Sequence, residues 1–384
     1  MAMYRVLLTK QDSNISMQNR NRTKFGTTRT RDHFDGARAF TNLGLEFGRA
    51  VAARPDELHE SFYIFGGRRV HIRILGRTLA EHIVRPFSHL QTEEESFAGV
   101  QLTIELWDEN RRDAGRHFAL PDENGEWYET TFKSPDGRFI GQQLPYTFSC
   151  LDRRRSHIVA SIAWSEKISN YERAKPLARL LLEWHNDQDI QMIHAALVAR
   201  DDQGVLVAGK RGAGKSTFAL ACVHAGLDYV SEDFVGLERC PDDSFVGHGL
   251  YNSVFLENVA MARFGDLVGH AIESGFSPEE KSAVILSEVF PERLKRAVPI
   301  RVLALPRVVD TVRPKLRPAS KGDALLRLGS SSLLQIPNRQ LGPRGFDRLS
   351  QLVEEVPCYW LEVGADLRSI PASVEMLLAE VGAT

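Results

Sequence analysis

Cysteine is scarce and scattered: Cys150, Cys222, Cys240 and Cys358 are the only four in 384 residues. No two form a CxxC pair, which argues against a structural zinc site or a disulfide framework and fits a reducing, cytoplasmic setting. Net charge is also small, since 48 Lys+Arg stand against 50 Asp+Glu and leave −2. Bulk charge therefore offers no case for a nucleic-acid or membrane-surface partner. No apolar run approaches the roughly 18 residues of a membrane helix. Val6-Leu7-Leu8 is too short for the apolar core of a secretory signal. Internal repeats and low-complexity tracts are missing. What remains is ordinary globular composition, 43% apolar and 26% charged, in a chain long enough for two or three domains.

Residues 1–35 are polar and acid-poor, and read as a disordered tail rather than a targeting or RNA-binding arm. Residues 36–189 predict a smaller α+β domain of unassigned role. Ser61–Phe65 reads as a strand ending at Gly66-Gly67, and Val70–Ile74 alternates with period two. Further strands are expected at Leu102–Trp107, around Tyr128–Phe132 and at Ile158–Ile162. Leu79 to Leu90 reads as a helix interrupted at Pro86. Tyr171 to His185 reads as one amphipathic helix with Leu177, Leu180, Leu181 and Trp184 on its apolar side.

Residues 190–384 have α/β texture. Ile193–Ala199 and Val205–Ala208 read as two strands of a hairpin, with Arg200-Asp201-Asp202-Gln203-Gly204 as the turn. A helix is expected from Lys215 to His224, closed by Gly226, and then a strand at Leu227–Ser231. A strand at Ile300–Leu305, a helix at Phe346–Val356, a strand at Cys358–Val363 and a helix from Pro371 follow.

The chemistry stands between these elements. Gly209-Lys210-Arg211-Gly212-Ala213-Gly214-Lys215-Ser216, followed by Thr217, fits G-x-x-x-x-G-K-[ST] at every fixed position. The glycines let successive N–H groups point into one concavity at a helix start, which suits phosphate oxygens. Lys215 is placed to reach the β- and γ-phosphates of a nucleotide, and the Ser216 hydroxyl to ligate Mg²⁺. The strand before and the Ala- and Leu-rich helix after supply the context this pattern needs.

Two more features follow. Glu232 and Asp233 end the strand after that helix, where carboxylates face the nucleotide in such sheets. One is expected on or near Mg²⁺ and the other near the attacking group, and strand alternation should point them apart. If Ala199 pairs with Val205, the hairpin register sets His194 opposite Lys210, at the root of the phosphate loop. A basic segment with Lys281, Arg293, Lys295 and Arg296 either reaches the phosphates or is a solvated face, and the second reading is favoured. Gly247-His248-Gly249 is a candidate substrate loop, although such triplets are ordinarily turns. Arg153-Arg154-Arg155 reads as surface, and Trp107, Trp127, Trp164 and Trp184 as core.

His194 with Ala195–Val198, Val205 through Thr217, and Asp228 through Asp233 resemble the HPr kinase/phosphorylase superfamily, and more closely the HPr-kinase-related kinases. Val356 through Leu367 is similar to the C-terminal strand and turn of that family. The resemblance covers roughly residues 171–384 and is most specific over 190–236. It implies an α/β P-loop kinase domain with a mixed sheet, a fold shared with phosphoenolpyruvate carboxykinase. It also implies ATP and Mg²⁺ as cofactors, and an acceptor hydroxyl on a peptide, a protein or a small molecule, often serine. It assigns the general base to Asp233 and keeps His194, Lys215 and Glu232 as catalytic candidates. Ser216, Glu232 and Asp233 are the metal candidates. The acidic pair is Glu-Asp where the family usually has Asp-Asp. The glycine-rich segment that follows the pair in the bifunctional enzymes has no counterpart here. The rival expectation is an ATPase switch that regulates a partner without phosphorylating it. Homo-oligomerisation is left open.

Overall fold

The computed structural model describes residues 34–93, 97–110, 130–210, 212–257, 261, 263–272, 281–311, 313–335, 342–364 and 366–382. It is a mixed α/β structure with two large mixed sheets. Helix α1 (Gly36–Ala53) is capped by Asp35, whose carboxylate accepts from the Arg38 amide at 3.0 Å. Its Phe40, Leu43 and Phe47 recur at helical spacing and are buried. Phe34 stacks on Phe132 at 5.5 Å. The expected tail is thus corrected at its end, where an aromatic anchor and a cap tie residues 34 and 35 down. Residues 1–33 lie outside the described residues.

Strands β1 (Leu58–Phe65) and β2 (Arg68–Leu75) pair around the two-residue turn Gly66-Gly67. Helix α2 (Arg77–Val84) gives way to a 3-10 segment that runs to Leu90 and carries Pro86. Then come β3 (Gln91–Thr92), β4 (Val100–Asp108), β5 (Thr130–Lys133), β6 (Phe139–Gln143), β7 (Thr147–Asp152) and β8 (His157–Ile162). Among the described residues these form one sheet in the order β3-β1-β2-β4-β8-β7-β6-β5. Helix α1 packs on one face over Leu75, Trp107, Phe148 and Val159. The other face buries Ile72, Leu106, Ile158 and Ala160.

The single helix expected over Tyr171 to His185 is two. Helix α3 (Asn170–Ala174) stops and α4 (Ala178–Asp187) starts again, with Lys175-Pro176-Leu177 between them. Proline disfavours helical geometry in the residue before it. Lys175 accordingly takes φ −138°, and Leu177 is left-handed at φ 54°. This break brings Lys175 into the candidate site below.

The second sheet contains β9 (Gln191–Ile193), β10 (Ala196–Arg200), β11 (Gln203–Val207), then α5 (Lys215–His224), β12 (Asp228–Glu232), β13 (Val235–Arg239) and β14 (Phe245–His248). A small separate sheet of β15 (Ser253–Glu257), β16 (Ala271–Ile272) and β17 (Lys281–Ile285) follows. Next are β18 (Ala297–Val308), β19 (Lys315–Pro318), α6 (Lys321–Gln335), α7 (Gly342–Glu355), β20 (Cys358–Val363) and α8 (Ser369–Gly382). Strand β11 runs parallel to β18, and β18 parallel to β20, while β10 is antiparallel to both β11 and β12. The ends of β11, β12, β18 and β20 and the start of β10 therefore share one edge of the sheet. Val198, Val205, Val302 and Leu361 pack with α5 and α8 on one face. Leu197, Leu206, Leu303 and Cys358 pack with α6 and α7 on the other.

The strand expected over Ile193–Ala199 is split. β9 pairs with β13 and β10 with β11, and His194 and Ala195 cross between them. The hairpin pairs Ala199 with Gly204, one residue off the expected register, because Asp201 and Asp202 both take positive φ and make a two-residue turn. That slip and the crossover remove the expected pairing of His194 with Lys210.

Candidate active site at the edge of the second sheet

The glycine loop leaves β11 at this shared edge and enters α5. Gly212 and Gly214 take φ 79° and 85°, a left-handed geometry that side chains resist and that winds the loop back onto itself. The Ala213 amide closes on the Lys210 carbonyl at 3.0 Å. Gly209 is buried, Ala213, Ser216 and Thr217 are half-buried, and Lys210 is exposed. Arg211 lies outside the described residues. The first turn of α5 has no acidic residue, so its leading amides face outward with the positive end of the helix. Lys215 is buried, and its ammonium donates to the Gly209 and Lys210 carbonyls at 3.0 and 3.4 Å.

Helix α5 also sets Ser216 against β12, where its hydroxyl donates to Glu232 Oε1. Glu232 is buried at 1% exposure, and its second oxygen, Oε2, has no hydrogen-bond partner. A buried carboxyl oxygen without a donor is costly. Beside a helix N-terminus and a hydroxyl it is chemically suited to a hard cation such as Mg²⁺. Mg²⁺ takes only one or two protein ligands when it also binds substrate phosphates, so Ser216 and Glu232 fit that group. Among the described residues no cluster of three or more His, Cys, Asp and Glu is arranged to hold a metal by itself.

Asp233 follows in a three-residue turn. Its φ is 67°, and the Phe234 amide bonds back to the Glu232 carbonyl at 2.9 Å. This is the rare, strained γ form. The Ser231 hydroxyl holds it by donating to the Phe234 carbonyl at 2.7 Å. The turn cancels strand alternation, so the two carboxylates do not point apart as expected. Both reach one cation: Lys175 Nζ lies 2.5 Å from Asp233 Oδ2 and 3.7 Å from Glu232 Oε2. The ammonium is fully buried and sits 5.2 Å from the ring centres of both Phe234 and Phe255.

His194 completes the cluster. Its Nε2 lies 3.2 Å from Asp233 Oδ1. Its backbone is fastened to α6: the amide donates to Ser332 Oγ at 3.1 Å, and Ser331 Oγ donates to the carbonyl at 3.3 Å. Burial lowers the imidazole pKa; Asp233 opposes this, while Lys215 and Lys175 reinforce it. The ring is then neutral at pH 7. Its bond to a carboxylate requires the proton on Nε2, which leaves Nδ1 as a buried acceptor without a partner. Burial opposes ionisation of Asp233, but Lys175 and His194 outweigh it and hold the carboxyl well below its usual range. Glu232 moves the other way. Burial and the Asp233 charge push it up, against Lys175 and the Ser216 hydroxyl.

The structure thus brings together Lys215, Ser216, Glu232, Asp233 and His194 from the sequence candidates, and adds Lys175. The signal for Lys175 was present, since a lysine immediately before a proline is unsuited to the middle of a helix. Other candidates fall elsewhere. Lys295 pairs with Asp202, in the hairpin turn at the opposite edge of the sheet, at 2.8 Å. Arg296 donates to the His89 and Gln91 carbonyls. Lys295 and Arg296 are therefore turned away from the glycine loop. His248 is in β14 and pairs with Glu238 at 2.7 Å, so Gly247-His248 is sheet rather than a substrate loop. Arg153 pairs with Asp187. Trp107 and Trp184 are core, while Trp127 lies outside the described residues.

No family model matches the chain, and no curated protein matches it. Among solved structures it is similar to the Hpr(Ser) kinase/phosphatase from Coxiella burnetii, at 13% identity and a TM-score of 0.30, over 50% of this chain and 91% of that one. The likeness is distant. No described helix is long and apolar enough to cross a membrane.

Proposed function

We propose that this protein is an ATP-dependent kinase that transfers the γ-phosphoryl group to an acceptor hydroxyl, with serine of a peptide or protein as the favoured acceptor. The observation that carries this reading is the convergence, at one sheet edge, of a glycine loop heading a helix, a Ser216–Glu232 pair, and an ionised carboxylate held between Lys175 and His194. In this reading residues 209–217 bind the nucleotide phosphates through loop amides and the start of α5. Lys215 swings from the loop carbonyls to the phosphate oxygens and offsets their charge. Ser216 and Glu232 would hold Mg²⁺, which would supply charge neutralisation for the nucleotide phosphates.

Asp233 orients the acceptor O–H. The acceptor oxygen forms a bond to the γ-phosphorus, the bond to the bridging oxygen of ADP breaks, and the acceptor proton passes to Asp233. A carboxylate kept well below its usual pKa is ionised before the reaction and takes the proton only as the hydroxyl becomes acidic on attack. Neutral His194 fixes the carboxylate through Nε2 and releases no competing proton. Residues 190–384 carry the nucleotide elements, while Lys175 comes from residues 36–189, the range assigned in this reading to a front unit that serves the acceptor.

A second reading is an ATPase switch. It is favoured by the engagement of both Asp233 oxygens, one by Lys175 and one by His194. Product analysis separates the two. Radiolabelled γ-phosphate from ATP incubated with a library of serine peptides must appear on peptide if the chain is a kinase. Label found only in free phosphate supports the switch and overturns the kinase.

A further inference from the structure

We infer that a basic shelf formed by Arg307, Arg313, Lys315, Arg317 and Arg327 around Trp360 docks an acidic segment of the acceptor polypeptide, an inference that rests on the kinase reading above. The shelf continues the candidate site's own edge of the sheet. β18 and β20 end beside the glycine loop, and β19 starts there, antiparallel to β20. Among the described residues β19 pairs only with β20, so it forms the sheet border.

The charge is lopsided. Residues 306–318 hold Arg307, Arg313, Lys315 and Arg317 against Asp310 alone, in a chain whose net charge is −2. Arg317 pairs with Glu362 at 3.4 Å yet remains 66% exposed. Arg307, Arg313 and Lys315 are exposed and have no ion pair among the described residues. The Arg307 and Arg327 guanidinium groups lie 3.5 and 5.3 Å from the Trp360 ring centre. Stacking on an indole fixes a guanidinium without using its N–H donors, which stay free for carboxylates.

Geometry sets a spacing. From the end of β12, which Asp233 follows, to β18 is three strands, or about 14 Å, and to β19 five strands, or about 24 Å. An extended peptide covers roughly 3.3 Å per residue. Acidic side chains roughly four to eight residues from the acceptor hydroxyl would meet the shelf.

The test uses the full chain and two fluorescein-labelled peptides. One is a serine followed by three glycines and five alternating Asp and Glu residues; the other has Lys at the acidic positions. Anisotropy is read at low and moderate salt. The acidic peptide should bind and the lysine peptide should not. Arg307→Glu with Lys315→Glu should weaken binding about tenfold or more, while Arg301→Glu with Arg49→Glu, equal in charge change and off the shelf, should leave it unchanged. Equal weakening by both pairs, or no binding by the parent, overturns the shelf. So does a uridine oligonucleotide that binds more tightly through the same residues. ATP affinity measured on the same samples keeps the outcomes apart: retained ATP binding without peptide binding rejects the shelf alone, whereas peptide binding without ATP binding rejects the kinase reading.

Discussion

Lys175 Nζ and Asp233 Oδ2 are 2.5 Å apart, joining a residue between two helices to a residue in a strained turn. Neither position follows from regular secondary structure. Pro176 pushes Lys175 out of the helix, and the positive φ of Asp233 turns its carboxylate back toward Glu232. The cation is buried between two phenylalanine rings, so its charge acts on the two carboxylates with little screening.

Lys175→Met removes the charge that holds Asp233 ionised. The Asp233 carboxyl should then titrate at higher pH, and the acid limb of the pH–rate profile should move up. The variant should also lose about 3–5 kcal/mol of stability, the usual penalty for breaking a buried pair. Lys175→Arg keeps the charge and should return the limb toward the parent position. An unshifted limb in a folded Lys175→Met protein would exclude Lys175 as the group that sets Asp233.

In the proposed mechanism, Lys215→Ala would leave the β- and γ-phosphate charge without its ammonium. ATP affinity, measured by calorimetry, should fall by roughly tenfold or more, and turnover should be lost. Parent turnover in this variant would remove the glycine loop as the active centre.

His89 offers a pH test away from the site. Burial, helped by the Arg296 charge, lowers its pKa from 6.5 to about 3. The unfolded chain therefore binds a proton that the folded chain refuses between those values. Stability from this group is present above pH 6.5 and is lost as pH falls toward 3, at no more than about 1.4 kcal/mol per pH unit. His89→Asn keeps an acceptor for the Asn252 amide, which lies 3.3 Å from His89 Nδ1. Urea midpoints at pH 7 and pH 4.5 should differ less in this variant than in the parent. An equal difference would rule His89 out as a source of acid lability.

Much of the second sheet was legible. The glycine loop, α5 and β20 came from motif spacing and apolar runs, because local backbone requirements and burial write those patterns directly. The acidic pair was legible as a pair but not in its geometry, since strand alternation holds only until the turn at Asp233 reverses it. His194 was found through a register that proved one residue off, and its true partner is Asp233, brought from another strand. Lys175 was hidden because hydrophobic periodicity across Tyr171–His185 outweighed the proline signal. The residues that escaped detection are those placed by breaks and turns rather than by elements.

In the proposed kinase mechanism Asp233 serves the acceptor while Glu232 serves the metal. Asp233→Asn preserves size and removes basicity. Single-turnover transfer to a serine peptide is measured beside ATP affinity at several Mg²⁺ concentrations. Asp233→Asn should bind ATP·Mg²⁺ nearly as the parent does and lose transfer by roughly 10²–10⁴-fold, the usual contribution of a positioned base. Glu232→Gln should instead raise the Mg²⁺ concentration needed for half-maximal binding. Transfer by Asp233→Asn at the parent rate would contradict the mechanism.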